Sequence, residues 1–397
     1  MKHTFLFALL FAGISLAAAP VDDVRRAAGE AVKSGNIKQA AALCLEYGKK
    51  ADQTVKDRIS ILMIAGNYVH RRPDRSVYPV IRDCMEQIIA MPEASVAEKI
   101  QAYERIILCY RNAGETAKTP AVYDRMLKLD LNDAQRVNVL SAAGSICLHS
   151  LRKIAEGKAK YNQAAALLHK MAESADGAGK IAHLRKLVNI YQHQLRDMDK
   201  LKQVRMQIVA VNDALAPTLN GHARFAVIRD NCALLADLNE TEKRGVQCAN
   251  LLREIQAFLK EHEKESGEAW MKAVQPSQLV LALPAGYPPA METIYAVAER
   301  TFADAAIPAK EKALTAQYAR ARAKSVKDPA NEYKYFQRHA EFANTGEIYL
   351  QLGEFQYRNY LGLENARKTF RMIRDTPAFS EKSRKSAVLW LDMLADE

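Results

Sequence analysis

The histidines and acidic residues of this 397-residue chain lack the spacing that enzymes and metal sites require. His262-Glu263 matches the first half of a zinc-protease motif, but Ser266 stands where the second histidine belongs. His183 and His193 are ten residues apart and do not share one helix face. No phosphate-binding loop, dinucleotide fingerprint or nucleophile elbow occurs. We therefore predict no catalytic residues, no cofactor and no metal ion.

The cysteines are thinly spread, and no CxxC pair is present. They are Cys44, Cys84, Cys109, Cys147, Cys232 and Cys248. Each lies within an apolar helical stripe, so we expect buried, mostly reduced thiols rather than a disulfide framework. Cys232 and Cys248 fall on the facing stripes of one predicted hairpin, and whether they form a disulfide stays open.

The chain is basic, with 57 Lys and Arg against 46 Asp and Glu, a formal net charge of +11. One segment, residues 310–327, carries six of these cations and a single acid, Glu311. Arg320 and Arg322 are two residues apart, which places them on different sides of a helix. We interpret the segment as a solvated helix face and expect no nucleic-acid partner. A weak attraction to anionic polymers of the cell envelope is an intermediate interpretation.

The N-terminus has the features of a secretory signal. Lys2 precedes an apolar run over residues 5–16, and three alanines follow at 17–19. The run is too short to span a bilayer, so we expect no stable membrane insertion. The sequence predicts cleavage near residues 17–19 and a periplasmic or secreted mature protein.

The rest of the chain predicts an all-α fold. Gly and Pro are scarce, 17 and 13 residues, and they fall mostly between segments of three–four apolar periodicity. Small or polar breakers recur at intervals of about 40 residues, or twice that, which is a repeat signature. They are Ser34-Gly35, Pro73-Asp74, Ala113-Gly114, Asp197 and Leu238-Asn239.

Residues 96–133 show the repeat unit most clearly. The first helix has Tyr103-x2-Ile106-Ile107-x2-Tyr110, and the second has Thr119 as predicted N-cap and Tyr123 as its aromatic. This unit resembles a tetratricopeptide repeat, although Ile107 replaces the family's small residue. Partial matches include Leu140-x2-Ala143-Gly144-x2-Cys147, and Thr345-Gly346-x2-Tyr349 leading through Leu352-Gly353 to Ala366 and Phe370. The resemblance covers residues 22–262 and 332–396 and implies an α-solenoid of stacked helix-turn-helix repeats.

A proline-rich segment over residues 275–290 interrupts this pattern. Pro276, Pro284, Pro288 and Pro289 exclude one continuous helix, and the sequence allows at most a short strand over residues 279–283. The sequence therefore divides into a signal (1–19), a helical array (20–274), a connection (275–290) and a C-terminal helical block with a further repeat-like unit (291–397). The connection is interpreted as a linker, with an ordered loop that shapes a groove as the alternative.

Repeats of this kind present extended surfaces that bind other proteins. The sequence thus predicts an exported scaffold that binds a protein or peptide partner in the cell envelope. The alternative is a glycan-binding protein or hydrolase on a toroid-like helical scaffold. The candidate binding residues are polar positions on first helices that lie outside the apolar stripe. They are Gln101, Glu104, Arg105, His183, Asn189 and Gln192.

Overall fold

The computed structural model describes residues 21–359 and 362–395, and within those ranges it contains helices and turns but no strand. The predicted all-α class is therefore confirmed. The signal segment lies outside the described residues, so export remains a prediction. The chain forms two compact units, Met1–Leu201 and Lys202–Glu397.

The first unit contains nine helices within its described residues and the start of a tenth. They are α1 (Val21–Lys33), α2 (Ile37–Gly48), α3 (Val55–Asn67), α4 (Tyr78–Ala90), α5 (Val96–Asn112), α6 (Thr119–Met126), α7 (Asp133–Ser145), α8 (Ile154–Ser174), α9 (Gly177–Asn189) and α10 (Met198–Leu215). Two π-helical turns, Ile146–Ser150 and Ile190–Leu195, extend α7 and α9.

The remaining helices belong to the second unit. They are α11 (Gly221–Asp237), α12 (Thr241–Glu261), α13 (Gly267–Val274), α14 (Pro276–Ala282), α15 (Met291–Ala303), α16 (Ala309–Ser325), α17 (Pro329–Ala343), α18 (Gly346–Arg358), α19 (Leu363–Asp375) and α20 (Glu381–Met393). Short 3₁₀ turns also occur in both units, at Tyr68–Arg71, Arg75–Val77, Thr116–Lys118, Ala216–Thr218 and Pro288–Ala290.

A residue in the left-handed backbone region lies between the two helices of each of the first six successive helix pairs. A left-handed residue ends a helix because it turns the following peptide away from the helix axis. These residues follow one another at intervals of about 40 positions. They are Gly35 (φ 81°), Arg72 (φ 50°), Gly114 (φ 80°), Arg152 (φ 56°), Arg196 (φ 55°) and Asn239 (φ 57°). The predicted breaker spacing is thus present, and Arg152 fills the place where the sequence shows no breaker.

Within the first unit, α1, α3 and α5 contact one another in succession, and α2 contacts α4. The predicted stripe of the third hairpin is buried, with Tyr103, Ile106 and Ile107 at most 5% exposed. Thr119 does not act as the predicted N-cap. A 3₁₀ turn, Thr116–Lys118, precedes α6, and Thr119 is its first helical residue.

The proline-rich segment is an ordered part of the second unit, so the interpretation as a linker is wrong, and the strand that the sequence allowed is a helix. Gln275 (φ 44°) ends α13, and Pro276 then begins α14, where its missing N–H needs no partner. Leu279 and Val280 are fully buried, and α14 packs against α11, α15 and α16. The predicted boundary at 274/275 therefore lies inside a compact unit, and the chain divides at Leu201, within α10.

All six cysteines are buried and unbridged, which confirms their predicted burial. Burial raises the pKa of Cys44 and of Cys109 to about 12, so both stay protonated and unreactive. The thiols of Cys232 on α11 and Cys248 on α12 contact each other. Hydrogen bonding from the Cys232 thiol lowers the pKa of Cys248, while the same interaction and burial raise that of Cys232.

Oxidised glutathione is expected to produce one intramolecular disulfide, between Cys232 and Cys248, once local opening of α11 and α12 exposes these buried thiols. The Cys248 thiolate would attack a sulfur of oxidised glutathione and release one glutathione; Cys232 would then lose its proton and displace the second glutathione. Peptide mass spectrometry before and after reduction would detect the bridge. Cys248→Ser should remove it without creating another. Bridges among the other four cysteines would contradict the prediction.

Candidate functional site

The predicted binding residues of α5 differ in how far they reach solvent. Gln101 and Glu104 are exposed. Arg105 is half-buried, and its Nη2 donates a hydrogen bond to Asn67 Oδ1 of α3 at 3.1 Å. Arg105 therefore stabilises the contact between two first helices, and of the three predicted residues of α5 only Gln101 and Glu104 are open to a partner.

The other predicted residues lie on α9 and the π-helical turn that follows it. His183 is half-buried, and its Nδ1 is buried with no hydrogen-bond partner among the described residues. Asn189 is exposed at the end of α9, and Gln192 is exposed in the turn. Asn189 and Gln192 thus lie close to each other, but α6, α7 and α8 separate them in the chain from Gln101 and Glu104.

The two π-helical turns have related sequences 44 residues apart. Both read Ile-x-x-His-x-Leu-Arg, from Ile146 to Arg152 and from Ile190 to Arg196. A hydrogen bond of 2.8 Å between His149 Nε2 and the Gln194 Oε1 acceptor joins them. π-Helical turns are rare and are found frequently at functional sites. We call the polar group that they present the π-turn surface; it comprises His149, Asn189, Gln192, His193 and Gln194.

Sequence reasoning missed His149, His193 and Gln194, because each appeared as an isolated polar residue. The usable signal was the 44-residue repetition of a short motif, rather than any single side chain. His149 and His193 are both exposed. The sequence does not predict that the helix widens into a π turn at these positions.

The second unit contains a cavity of about 430 Å³, which we call the arginine cavity. It lies where α11 and α12 meet the loop after α14 and the side of α16. Its lining consists of Arg229, Asp230, Cys232, Ala233, Ala236, Asp237, Arg244, Pro284, Ala285 and Arg322. No sequence motif indicated this site.

The basic segment on α16 is only partly a solvated face, contrary to the sequence interpretation. The Arg320 guanidinium lies 3.3 Å from the centroid of the Phe336 ring, and burial lowers the pKa of Arg320. Arg322 lines the arginine cavity, where burial and, secondarily, the nearby Arg229 charge lower its pKa to about 10. Lys312 is buried as well, at 9% exposed, so three of the six cations pack within the protein.

Neither a metal-binding cluster nor a membrane-spanning helix is found among the described residues. Over residues 21–359 and 362–395, no three His, Cys, Asp or Glu side chains are close enough to hold a metal ion together. None of the helices in these ranges is both long and apolar enough to cross a membrane.

Comparison with known proteins finds weak structural similarity to solved structures. No family model matches the chain, and no curated protein matches it. Among solved structures, it is similar to BtubC (BKLC) from P. vanneervenii, at 13% sequence identity and a TM-score of 0.30. The match covers 61% of this chain and 89% of that one. A similarity at this level carries no inference on fold or function.

Proposed function

We propose that this protein is an exported helical-repeat scaffold that binds a protein or peptide partner in the cell envelope. Binding takes place on the polar side of the first helices of the first unit. The observation that carries the proposal is the π-turn surface, where a hydrogen bond between His149 and Gln194 joins the ends of two successive first helices.

The arrangement of hairpins supports a stacked, tetratricopeptide-like solenoid. Left-handed residues recur about every 40 positions, and first helices contact first helices. In such an array each hairpin buries its apolar stripe against its neighbours, and the outer faces of the first helices line up as one extended surface. Gln101 and Glu104 on α5 then belong to the same side of the solenoid as the π-turn surface.

The side chains on this side suit reversible recognition. They are amides, imidazoles and one carboxylate, which exchange hydrogen bonds readily with a polar partner or with bridging water. The exposed large apolar residues of the first unit are isolated, at Ile154 (58%) and Met198 (65%). A polar surface of this type favours specific and reversible binding.

Site-specific photo-crosslinking tests this proposal. A photoreactive residue is placed at Gln101, at Asn189, or at Gln163, which is exposed on the second helix α8. Irradiation in intact cells is expected to give the same crosslinked partner from positions 101 and 189 and none from position 163. Partner identity then follows from mass spectrometry of the adduct.

Reversing the charge of Glu104 tests the same surface by loss of binding. Glu104→Arg should weaken capture of that partner while leaving the melting temperature unchanged, because Glu104 is an exposed helix residue. Equal crosslinking from all three positions, or from none, would refute the proposed surface. Cleavage of a glycan panel by the purified protein would instead support the hydrolase alternative.

A further inference from the structure

The arginine cavity holds three cations that no acidic side chain neutralises. Arg229, Arg244 and Arg322 come from α11, α12 and α16, and within the described residues none of them forms an ion pair. Buried or partly buried cations are normally paired with carboxylates, since an uncompensated charge loses its hydration. These three lie together in a recess of the protein.

Backbone carbonyls hold the three guanidinium groups in place. Arg322 Nη2 and Arg229 Nη1 both donate to the Leu281 carbonyl oxygen, at 2.6 and 3.3 Å, so the two like charges are close neighbours. Arg244 Nη2 donates to the Ala285 carbonyl oxygen at 2.8 Å. These bonds fix the orientation of each group but use only a minority of its five N–H donors.

One donor in this group has no partner at all among the described residues. Arg244 Nε is buried, yet no hydrogen-bond acceptor lies within reach. An unsatisfied buried donor costs about 1–3 kcal/mol, and on a charged group more. Because Arg244 Nε is shielded from solvent, an anion in the cavity would offset this cost through its charge and would itself bond to the Nη groups.

The two acids that line the cavity are engaged with α10 rather than with the arginines. Asp230 accepts a hydrogen bond from Asn212 Nδ2 at 3.1 Å, and Asp237 pairs with Arg205 at 3.1 Å. Both carboxylates line the cavity, but each has a partner on α10, Asn212 or Arg205. The positive side of the cavity remains open to a ligand.

From this geometry we infer that the arginine cavity is a binding site for a small organic oxyanion, a molecule that carries a phosphate or carboxylate group. Guanidinium groups form bidentate, charge-assisted hydrogen bonds to such groups. The cavity volume of about 430 Å³ exceeds that of a bare ion and lies within the range of small-molecule sites. Ala233, Ala236 and Pro284 add apolar walls for the rest of the molecule. This inference does not depend on the proposed protein-binding surface.

Isothermal titration calorimetry at constant ionic strength tests the site. The probes are inorganic phosphate, pyrophosphate and citrate, with sodium chloride as the reference anion. At least one probe is expected to bind at one site per chain with a Kd below about 1 mM, a level that indicates a specific site. The preference between pyrophosphate and citrate distinguishes a phosphate from a carboxylate ligand.

Three variants locate the binding. Arg244→Gln is expected to weaken it about tenfold or more, as loss of a charge-assisted hydrogen bond does. Ala233→Phe keeps all three arginines and should weaken binding by occupying the cavity. Arg253→Gln removes the same charge from an exposed position of α12 and should leave binding within about twofold of wild type.

The inference is overturned by either of two results. One is that no probe binds the wild-type protein more tightly than chloride. The other is that Arg253→Gln weakens binding as much as Arg244→Gln, because the attraction would then be general surface electrostatics. Since Ala233 is exposed, Ala233→Phe remains informative if Arg244→Gln does not fold.

Discussion

Replacement of Gly157 by alanine is expected to lower the free energy of unfolding of the first unit by about 3 kcal/mol. Gly157 is the point at which α8 crosses the end of α7. A β-carbon there would lie 2.9 Å from the Leu148 backbone nitrogen and 3.0 Å from the Gly144 carbonyl oxygen. Backbone atoms cannot rotate away as a side chain can, so the two helices would have to separate. Hydrogen–deuterium exchange of α7 and α8, together with denaturant unfolding followed by circular dichroism, measures the effect.

Gly179→Ala is the matched control for this substitution. Gly179 lies in the first turn of α9, and the nearest atom to an added β-carbon is the Ala175 β-carbon at an ordinary 3.6 Å. Alanine should there stabilise the helix by about 0.5–1 kcal/mol, because it restricts the unfolded chain more than glycine does. Equal effects of the two substitutions would show that α7 and α8 do not approach as closely as described.

The helical class could be predicted from the sequence because it depends on local periodicity, whereas some turns could not. Gly35 and Gly114 mark left-handed turns in the sequence, since glycine adopts positive φ without strain. Arg72, Arg152 and Arg196 adopt the same conformation with side chains that ordinarily avoid it. No residue type therefore marks the turn near residue 152 in the sequence, and the interval between recognisable breakers is about twice as long there.

The proline-rich segment shows a second limit of sequence reasoning. Four prolines within residues 275–290 indicated a break, and the structure does break the helix after Ala282. The sequence could not show that the seven residues before the break form a helix, because a run that short has too few turns to reveal a period. Burial of Leu279 and Val280 against three neighbouring helices decides the conformation.

The two candidate sites differ in how far the sequence reveals them. Asn189 and Gln192 could be proposed because polar residues outside an apolar stripe must face away from the core. The arginine cavity could not, because Arg229 and Arg244 lie on the consecutive helices α11 and α12, whereas Arg322 lies on α16, beyond the proline-flanked α14. Their proximity is a consequence of tertiary packing, and each arginine alone is indistinguishable in sequence from a solvated one.

The largest loss of stability in the second unit is expected from Phe370→Ala, which should lower the free energy of unfolding by about 3–5 kcal/mol. Phe370 is fully buried on α19 and stacks on Trp390 of α20, with ring centroids 5.3 Å apart and planes within 3°. Alanine would leave a cavity beside the indole. Urea unfolding followed by tryptophan fluorescence reports on this unit, because both tryptophans of the chain, Trp270 and Trp390, lie within it.

Gly353 on α18 lies against the opposite side of the Phe370 ring. This contact predicts that substitutions at positions 353 and 370 are energetically coupled. A β-carbon at Gly353 would lie 2.6 Å from Phe370 Cε1, and Trp390 blocks retreat of the ring on its other side. Gly353→Ala alone should therefore cost about 2 kcal/mol or more. In a Phe370→Ala background the obstructing ring is absent, so Gly353→Ala should hardly change the free energy of unfolding, and the double-mutant cycle should give a coupling of about 2 kcal/mol.

Gly245→Ala on α12 is the control, because an added β-carbon there meets no atom within 4 Å. Its effect on the free energy of unfolding should be additive with that of Phe370→Ala. If Gly353→Ala proves equally additive, the ring is not confined between Gly353 and Trp390, and the close crossing of α18 and α19 is not what excludes a side chain at position 353.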